Sequence, residues 1–208
     1  EPLESAPEVA SPWPARSLTD NPATLYGSWW HTLFQLFPWK GSTEQWQAAF
    51  SAMQPESPEG TRSAREWRLL IEGMLRDSLL TQFLKCPAVV VHTEYPFLWR
   101  TNEQSCLEGV IDLLLIDPRQ RRGLILDWKT NRIDRDDEKS FRQKYRPQIA
   151  AYWKAVGEIT RFDISAGLYS TFTGALVMFQ NAELKAEWSR LLQLPPEQMG
   201  TEITPRDI

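Results

Sequence analysis

The chain has 208 residues, 42% of them hydrophobic, which suits one globular domain with a sizeable core, and no apolar run approaches the ~20 residues of a membrane span. Its two cysteines, Cys86 and Cys106, are too few for a disulfide framework, a four-thiolate zinc site or an iron-sulfur cluster, so a reduced, cytoplasmic setting is the default expectation. With 27 acidic against 23 basic residues the formal charge is -4, which excludes an autonomous basic nucleic-acid binder and leaves such contacts to local patches or to a partner.

Residues 1–22 carry Pro2, Pro7, Pro12, Pro14 and Pro22 among Ser, Ala and Glu, the composition of an extended linker. The first residues, Glu1-Pro2, lack an initiator Met and the plan of a signal peptide, and read as the start of a piece excised from a longer polypeptide. Asn21 or Thr24 can cap a helix over 23–37, with Leu25, Trp29, Leu33 and Leu36 as its apolar stripe. His31 lies on this helix among aromatics, where a histidine is ordinarily a core or surface residue. A second helix over 43–53 ends before the Pro55–Pro58 loop, and a third over 60–83 carries Trp67, Leu70, Ile71, Met74, Leu75 and Leu79 at helical spacing. Residues 88–99 read as a strand in which Pro96 implies an edge position or a bulge, with His92 facing solvent.

The most informative stretch is 107–131, two Val/Ile/Leu-rich strands over 109–116 and 123–130 reversed at Asp117-Pro118. A turn centred between Arg119 and Gln120 places Asp112 opposite Asp127. Alternation then puts Asp127 and Lys129 on one face and Leu126 and Trp128 on the other. The carboxylate face is completed by Val110, Leu114 and Ile125, an apolar setting in which paired carboxylates need a cation. A metal ion would serve, and so would a salt bridge from Lys129 to either aspartate.

Residues 134–139 form a charged stretch that reads as a solvated helix start. In the helix that follows, Gln148 and Tyr152 are four apart and share a face, by default a surface glutamine and a core tyrosine. Basic residues gather at Arg119, Arg121 and Arg122 in the turn and at Arg142, Lys144 and Arg146 on this helix, where they could guide a nucleic-acid strand. Strands over 164–171 and 175–179 flank Phe172-Thr-Gly174. A closing helix over 182–194 stops at Pro195-Pro196, and 195–208 read as a tail.

Four of these elements have a characteristic wording: Gly27-Ser-Trp-Trp-His31, Gly109-Val-Ile-Asp112, Asp127-Trp-Lys-Thr130 and Gln148-Ile-Ala-Ala-Tyr152. In this order, on helix, strand, strand and helix, they resemble the RecB-like branch of the PD-(D/E)XK nuclease superfamily. Glu94-Tyr-Pro96-Phe97 is similar to an E-x-P-F element that precedes the hairpin there, a match too short to give Glu94 a role.

The resemblance implies an α/β fold, a restriction-endonuclease-like core of a mixed central sheet flanked by helices with an N-terminal helical portion, here over 23–194. It implies a metal-dependent DNA nuclease, with Mg²⁺ or Mn²⁺ held by His31, Asp112, Asp127 and the Trp128 carbonyl. Asp112, Asp127 and Lys129 are then catalytic, while Gln148 and Tyr152 position the hairpin or the DNA. The literal Pro-Asp is absent before Asp112, as in the RecB-like branch itself, and the cluster-binding cysteines of AddB-like and Cas4-like relatives are absent too. That points to the AddA or RecB side, where such a domain ends a helicase polypeptide and takes single-stranded DNA. There it pairs with a second helicase-nuclease chain and acts at the nucleoid in double-strand break repair. Two rival readings are a catalytically inactive module of this fold and an acidic interaction domain.

Overall fold

The computed structural model describes residues 21–101, 106–132 and 137–204. Most of the proline-rich segment and residues 134–136 of the charged stretch lie outside these. The first described helix, α1 (Pro22–Leu36), begins with Pro22, whose missing N–H costs nothing there, and Asn21 Oδ1 accepts from the Ala23 N–H at 3.0 Å. Its buried face is aromatic: Tyr26, Trp29, Trp30, Leu33 and Phe34 are covered, whereas Leu25 and Leu36 of the expected stripe are exposed. The stripe is rotated because three large rings bury more apolar area than two leucines.

Helix α2 (Thr43–Met53) opens on a reciprocal cap between Ser42 and Gln45. The third expected helix is two, α3 (Gly60–Arg76) and α4 (Ser78–Lys85). Asp77 between them is extended, and its side chain accepts from the Leu80 N–H at 2.7 Å, so a capping residue ends one helix and starts the next.

Among the described residues five strands follow, β1 (Val90–Arg100), β2 (Cys106–Asp117), β3 (Arg122–Lys129), β4 (Asp163–Ser170) and β5 (Ala175–Phe179), in the spatial order β1-β2-β3-β4-β5. Only β3 and β4 are parallel, joined across the sheet by the long helix α5 (Glu138–Thr160). Two more helices follow among the described residues, α6 (Asn181–Leu191) and α7 (Pro196–Ile203). Where the sequence reads a tail, Pro196 starts a helix whose Ile203 is buried against α5 and α6.

The sheet is sandwiched. One face packs Leu113, Leu115, Leu124, Leu126 and Trp128 against α1 to α4; the other packs Leu114, Ile125, Ala166 and Leu168 against α5 and α6. This is the expected mixed α/β architecture. The β2–β3 reversal is set by Asp117, whose Oδ1 accepts from the N–H groups of Arg119 and Gln120 at 3.1 Å each, while Arg121 takes a left-handed φ of 52°. The ladder then runs from Asp117↔Arg122 to Leu113↔Leu126, so the next positions outward are Asp112 and Asp127.

Candidate active site

At that point the regular sheet breaks. Ile111 and Leu114, three apart, lie in the same core cluster, which strict alternation forbids, so the strand changes phase across Asp112. On β1, Thr93 pairs with Leu113 and Tyr95 with Ile111, which leaves Glu94 opposite Asp112, and Glu94 has a left-handed φ of 48°. For a non-glycine residue that conformation is strained, and strain of this kind gathers where a side chain must be re-aimed. Val110, expected in the apolar surround of the carboxylates, is exposed.

Into this break come side chains from four elements. Asp112 Oδ2 accepts the Trp128 N–H at 2.7 Å, a bond from the side chain of β2 to the backbone of β3. Its other oxygen, Oδ1, lies 3.6 Å from Nδ1 of His31, which reaches in from α1, and the same Nδ1 is 3.0 Å from Oε1 of Glu94. His31, Glu94 and Asp112 each present a ligand atom within 4.8 Å of the others, a mixed nitrogen and oxygen set that fits a divalent cation such as Mg²⁺ or Mn²⁺. Asp127 is not in that group of three. Its Oδ2 is 2.8 Å from Lys129 Nζ, so of the two partners open to Lys129 from the sequence the structure shows Asp127. That contact lacks hydrogen-bond alignment, and Asp127 Oδ2 is buried without a donor, an acceptor still available to a cation. Lys129 Nζ also sits 4.5 Å from the centre of the Tyr145 ring.

The charges perturb one another. Burial pushes Asp112 up to about 7, helped by the Asp127 charge and opposed by His31, Lys129 and the Trp128 N–H. Burial alone would lower His31, but the Glu94 hydrogen bond and the charges of Asp112, Glu94 and Asp127 outweigh it and bring His31 to about 8. Both shifts run toward the protonated form, the direction in which crowded, buried carboxylates are relieved of charge. Tyr152 belongs to the same field: burial first, then the charges of Asp127 and Asp112, push its phenol far up, so it stays neutral. Gln148 Nε2 donates to the Tyr152 hydroxyl at 3.2 Å, and Gln148 is part-buried rather than on the surface.

The two glycines of the site have steric reasons. A Cβ on Gly109 would stand 2.9 Å from both the Phe97 and Tyr152 rings, so only Gly lets α5 bring Tyr152 onto β2. A Cβ on Gly27 would stand 3.3 Å from Thr130 Oγ1, so Gly27 lets α1 approach the end of β3. Of the six basic residues singled out, Arg142 and Arg146 pair with Glu183 and Glu187, while Arg122 contacts Asp117 and lies over the Phe83 ring. These three serve the fold.

Two groups go beyond the sequence reading. Glu94, named there by its E-x-P-F wording but given no role, stands at the site on a strained backbone. Arg62 and Glu66 on α3 belong to no motif singled out in the sequence; they form an i,i+4 pair in which Glu66 is fully buried. Arg62 Nε donates to Glu66 Oε1 at 2.7 Å, Tyr26 Oη to Glu66 Oε2 at 2.9 Å, and Arg62 Nη2 to the Thr130 carbonyl at 2.5 Å. The helical layer thereby holds the end of β3 directly after Lys129.

Comparison with known proteins bears on the family and the fold. Residues 9–201 match the profile of the PD-(D/E)XK nuclease superfamily. A stretch of 98 residues is 32% identical to an ATP-dependent helicase/nuclease polypeptide of Desulforudis audaxviator (strain MP104C), covering 46% of this chain and 8% of that protein. The match therefore spans under a tenth of the relative's length. A crystal structure of a candidate exonuclease from Eubacterium rectale superposes with a TM-score of 0.51 over 88% of this chain and 68% of that one at 13% identity, a likeness of fold alone.

Proposed function

Because the chain belongs to the PD-(D/E)XK nuclease superfamily, we propose that it hydrolyses DNA phosphodiester bonds with a divalent metal at the break between β1, β2 and β3. The observation that supports this most is the convergence of His31, Glu94 and Asp112 beside the Asp127–Lys129 pair, five ionisable groups from α1 and three strands. His31 and Asp112, with Glu94, Asp127 and the Trp128 carbonyl, would hold the ion, and the His31 nitrogen favours Mn²⁺ over Mg²⁺ somewhat. When bound, the metal supplies Lewis-acid polarisation of the phosphate and activation of water.

The chain's own groups do the rest. Lys129, nearly buried between Asp127 and the Tyr145 ring, is a fixed cation in a weakly screened setting. There it stabilises the charge that builds at phosphorus and orients the attacking water. The neutral Tyr152 phenol, steadied by Gln148, offers a hydrogen-bonding group that adds no negative charge to the site. With an overall charge of -4, the domain captures free DNA weakly and is suited to work within a longer helicase-nuclease polypeptide that feeds it single-stranded DNA during double-strand break repair.

The test is cleavage of end-labelled single- and double-stranded oligonucleotides with Mg²⁺, Mn²⁺ or chelator. Metal-dependent cleavage is expected, and Asp127→Asn should abolish it while the circular dichroism spectrum is unchanged. Cleavage in chelator, or at the original rate by the folded variant, would overturn the reading.

A further inference from the structure

Past the break, β1 and β2 continue together without β3. The ladder to β3 ends at Leu113↔Leu126, whereas the β1–β2 ladder runs on to Arg100↔Cys106, which makes 96–100 and 106–110 a two-stranded arm. Cross-strand partners share a face, so the arm has two. One carries Phe97, Trp99 and Leu107 and is covered, Phe97 by Tyr152 at a ring distance of 5.5 Å and Trp99 by Trp188 at 5.8 Å. The other carries the pairs Pro96↔Val110, Leu98↔Glu108 and, at its far end, Arg100↔Cys106, and is open: Leu98 is 67% exposed and Val110 41%.

An open apolar face on a strand pair is costly, and here it is contiguous with the catalytic group. Pro96 and Val110 are each two residues from Glu94 and Asp112, about 6–7 Å along a strand. A nucleic-acid strand with a phosphate at Asp112 has to continue past the arm or away from it. Toward the arm it meets Pro96 and Val110 first, then Leu98 beside Glu108, and the cation Arg100 only at the far pair, so next to the phosphate position the face is apolar and the bases are the groups that fit.

We propose that this face, Pro96, Leu98 and Val110, is a ledge on which nucleobases of the single-stranded substrate lie beside the scissile phosphate. This rests on the nuclease reading above for the position of the phosphate. The ledge is sequence-tolerant, since each base presents an apolar face to it, and it supplies affinity that the chain's acidic surface does not.

The experiment is an anisotropy titration of a labelled mixed-sequence 12-mer and of the same strand with abasic residues throughout. It compares the unaltered protein with the double variant Leu98→Ser, Val110→Ser in Ca²⁺ buffer. Both side chains are exposed, so thermal unfolding should be unchanged. The variant is expected to bind the normal strand about tenfold more weakly and the abasic strand as the unaltered protein does. Equal binding of the normal strand by both proteins would overturn the ledge and mark the face as one for another partner. An equal loss on the abasic strand would overturn it too, by moving the contact to the backbone. Cleavage is scored separately in Mn²⁺: base-dependent binding without cleavage would remove the nuclease reading and leave the ledge standing.

Discussion

The two faces of β3 answer to different physics. Toward α1, Trp128 is fully enclosed: its ring lies 4.3 Å from Phe34, 5.3 Å from Trp39 with planes within 11°, and 5.3 Å from Tyr169 edge-on. Toward α5, one residue away on each side, Asp127 and Lys129 are equally enclosed but charged. The aromatic face gains from its ring contacts, less the cost of the buried Trp128 Nε1 and Tyr169 Oη that find no hydrogen-bond partner, whereas the charged face loses solvation that its ion pair only partly restores. A strand fixed by the first face can hold the second in a geometry it would not adopt for its own stability, and that is the arrangement a preorganised catalytic site needs.

The contrast is broken most forcefully by exchanging the roles of stability and activity. Trp128→Ala should lower the unfolding free energy by about 3–5 kcal/mol, because a large ring leaves a cavity among Phe34, Trp39 and Tyr169. Asp112→Asn should do the opposite: burial and Asp127 already disfavour its charge, and an amide oxygen can still accept the Trp128 N–H, so stability is kept or raised while cleavage is lost. Urea unfolding of both variants decides it, and a strongly destabilised Asp112→Asn would show that the charged face contributes to the fold after all.

A pH series sharpens the comparison next. His31 and Asp112 both have folded values raised above their ordinary ones, to about 8 and about 7, so each binds a proton more tightly in the fold than in the unfolded chain. In chelator, stability from His31 is present below its unfolded value near 6.5 and is lost as pH rises through 8; that from Asp112 is present below its unfolded value near 3.8 and is lost through 7. Metal binding runs the other way, since both ligands must shed their protons. The affinity for Mn²⁺ by calorimetry should rise between pH 6 and 8, about tenfold per unit for each proton released. Flat affinity over that range would remove His31 and Asp112 from the ligand set.

Much of this was legible because local rules agree at the hairpin. The Asp117 turn, the alternation of Leu126, Asp127, Trp128 and Lys129, and the midpoint between Arg119 and Gln120 together specify the register found. The site's remainder needed tertiary information. Nothing local announces that Glu94 takes a left-handed conformation opposite Asp112, or that the Arg62–Glu66 pair faces inward, since an i,i+4 pair on a surface has the same spacing. Asp77 reads as one more residue in an amphipathic run until its side chain is seen capping α4. Leu25 and Leu36 lost their expected burial to Tyr26, Trp30 and Phe34, a competition that periodicity scores equally.

Gly27 gives the smallest effect and the finest test of whether stability and activity are served by separate faces. It lies inside α1, where Gly is about 1 kcal/mol worse than Ala, so Gly27→Ala should stabilise the helix. The added methyl would stand 3.3 Å from Thr130 Oγ1, a close but yielding contact, because a threonine hydroxyl can turn or α1 can move by a few tenths of an ångström. Either adjustment acts on the site: His31 is one turn along the same face of α1, and Thr130 follows Lys129. The melting temperature of Gly27→Ala should therefore be unchanged or slightly higher, while cleavage in Mn²⁺ falls several-fold through kcat. A variant that keeps full activity would show that the approach of α1 to β3 has slack. A variant that loses stability would show that Gly27 is there for packing, and the separation between a stabilising face and a working face would not extend to the helix that carries His31.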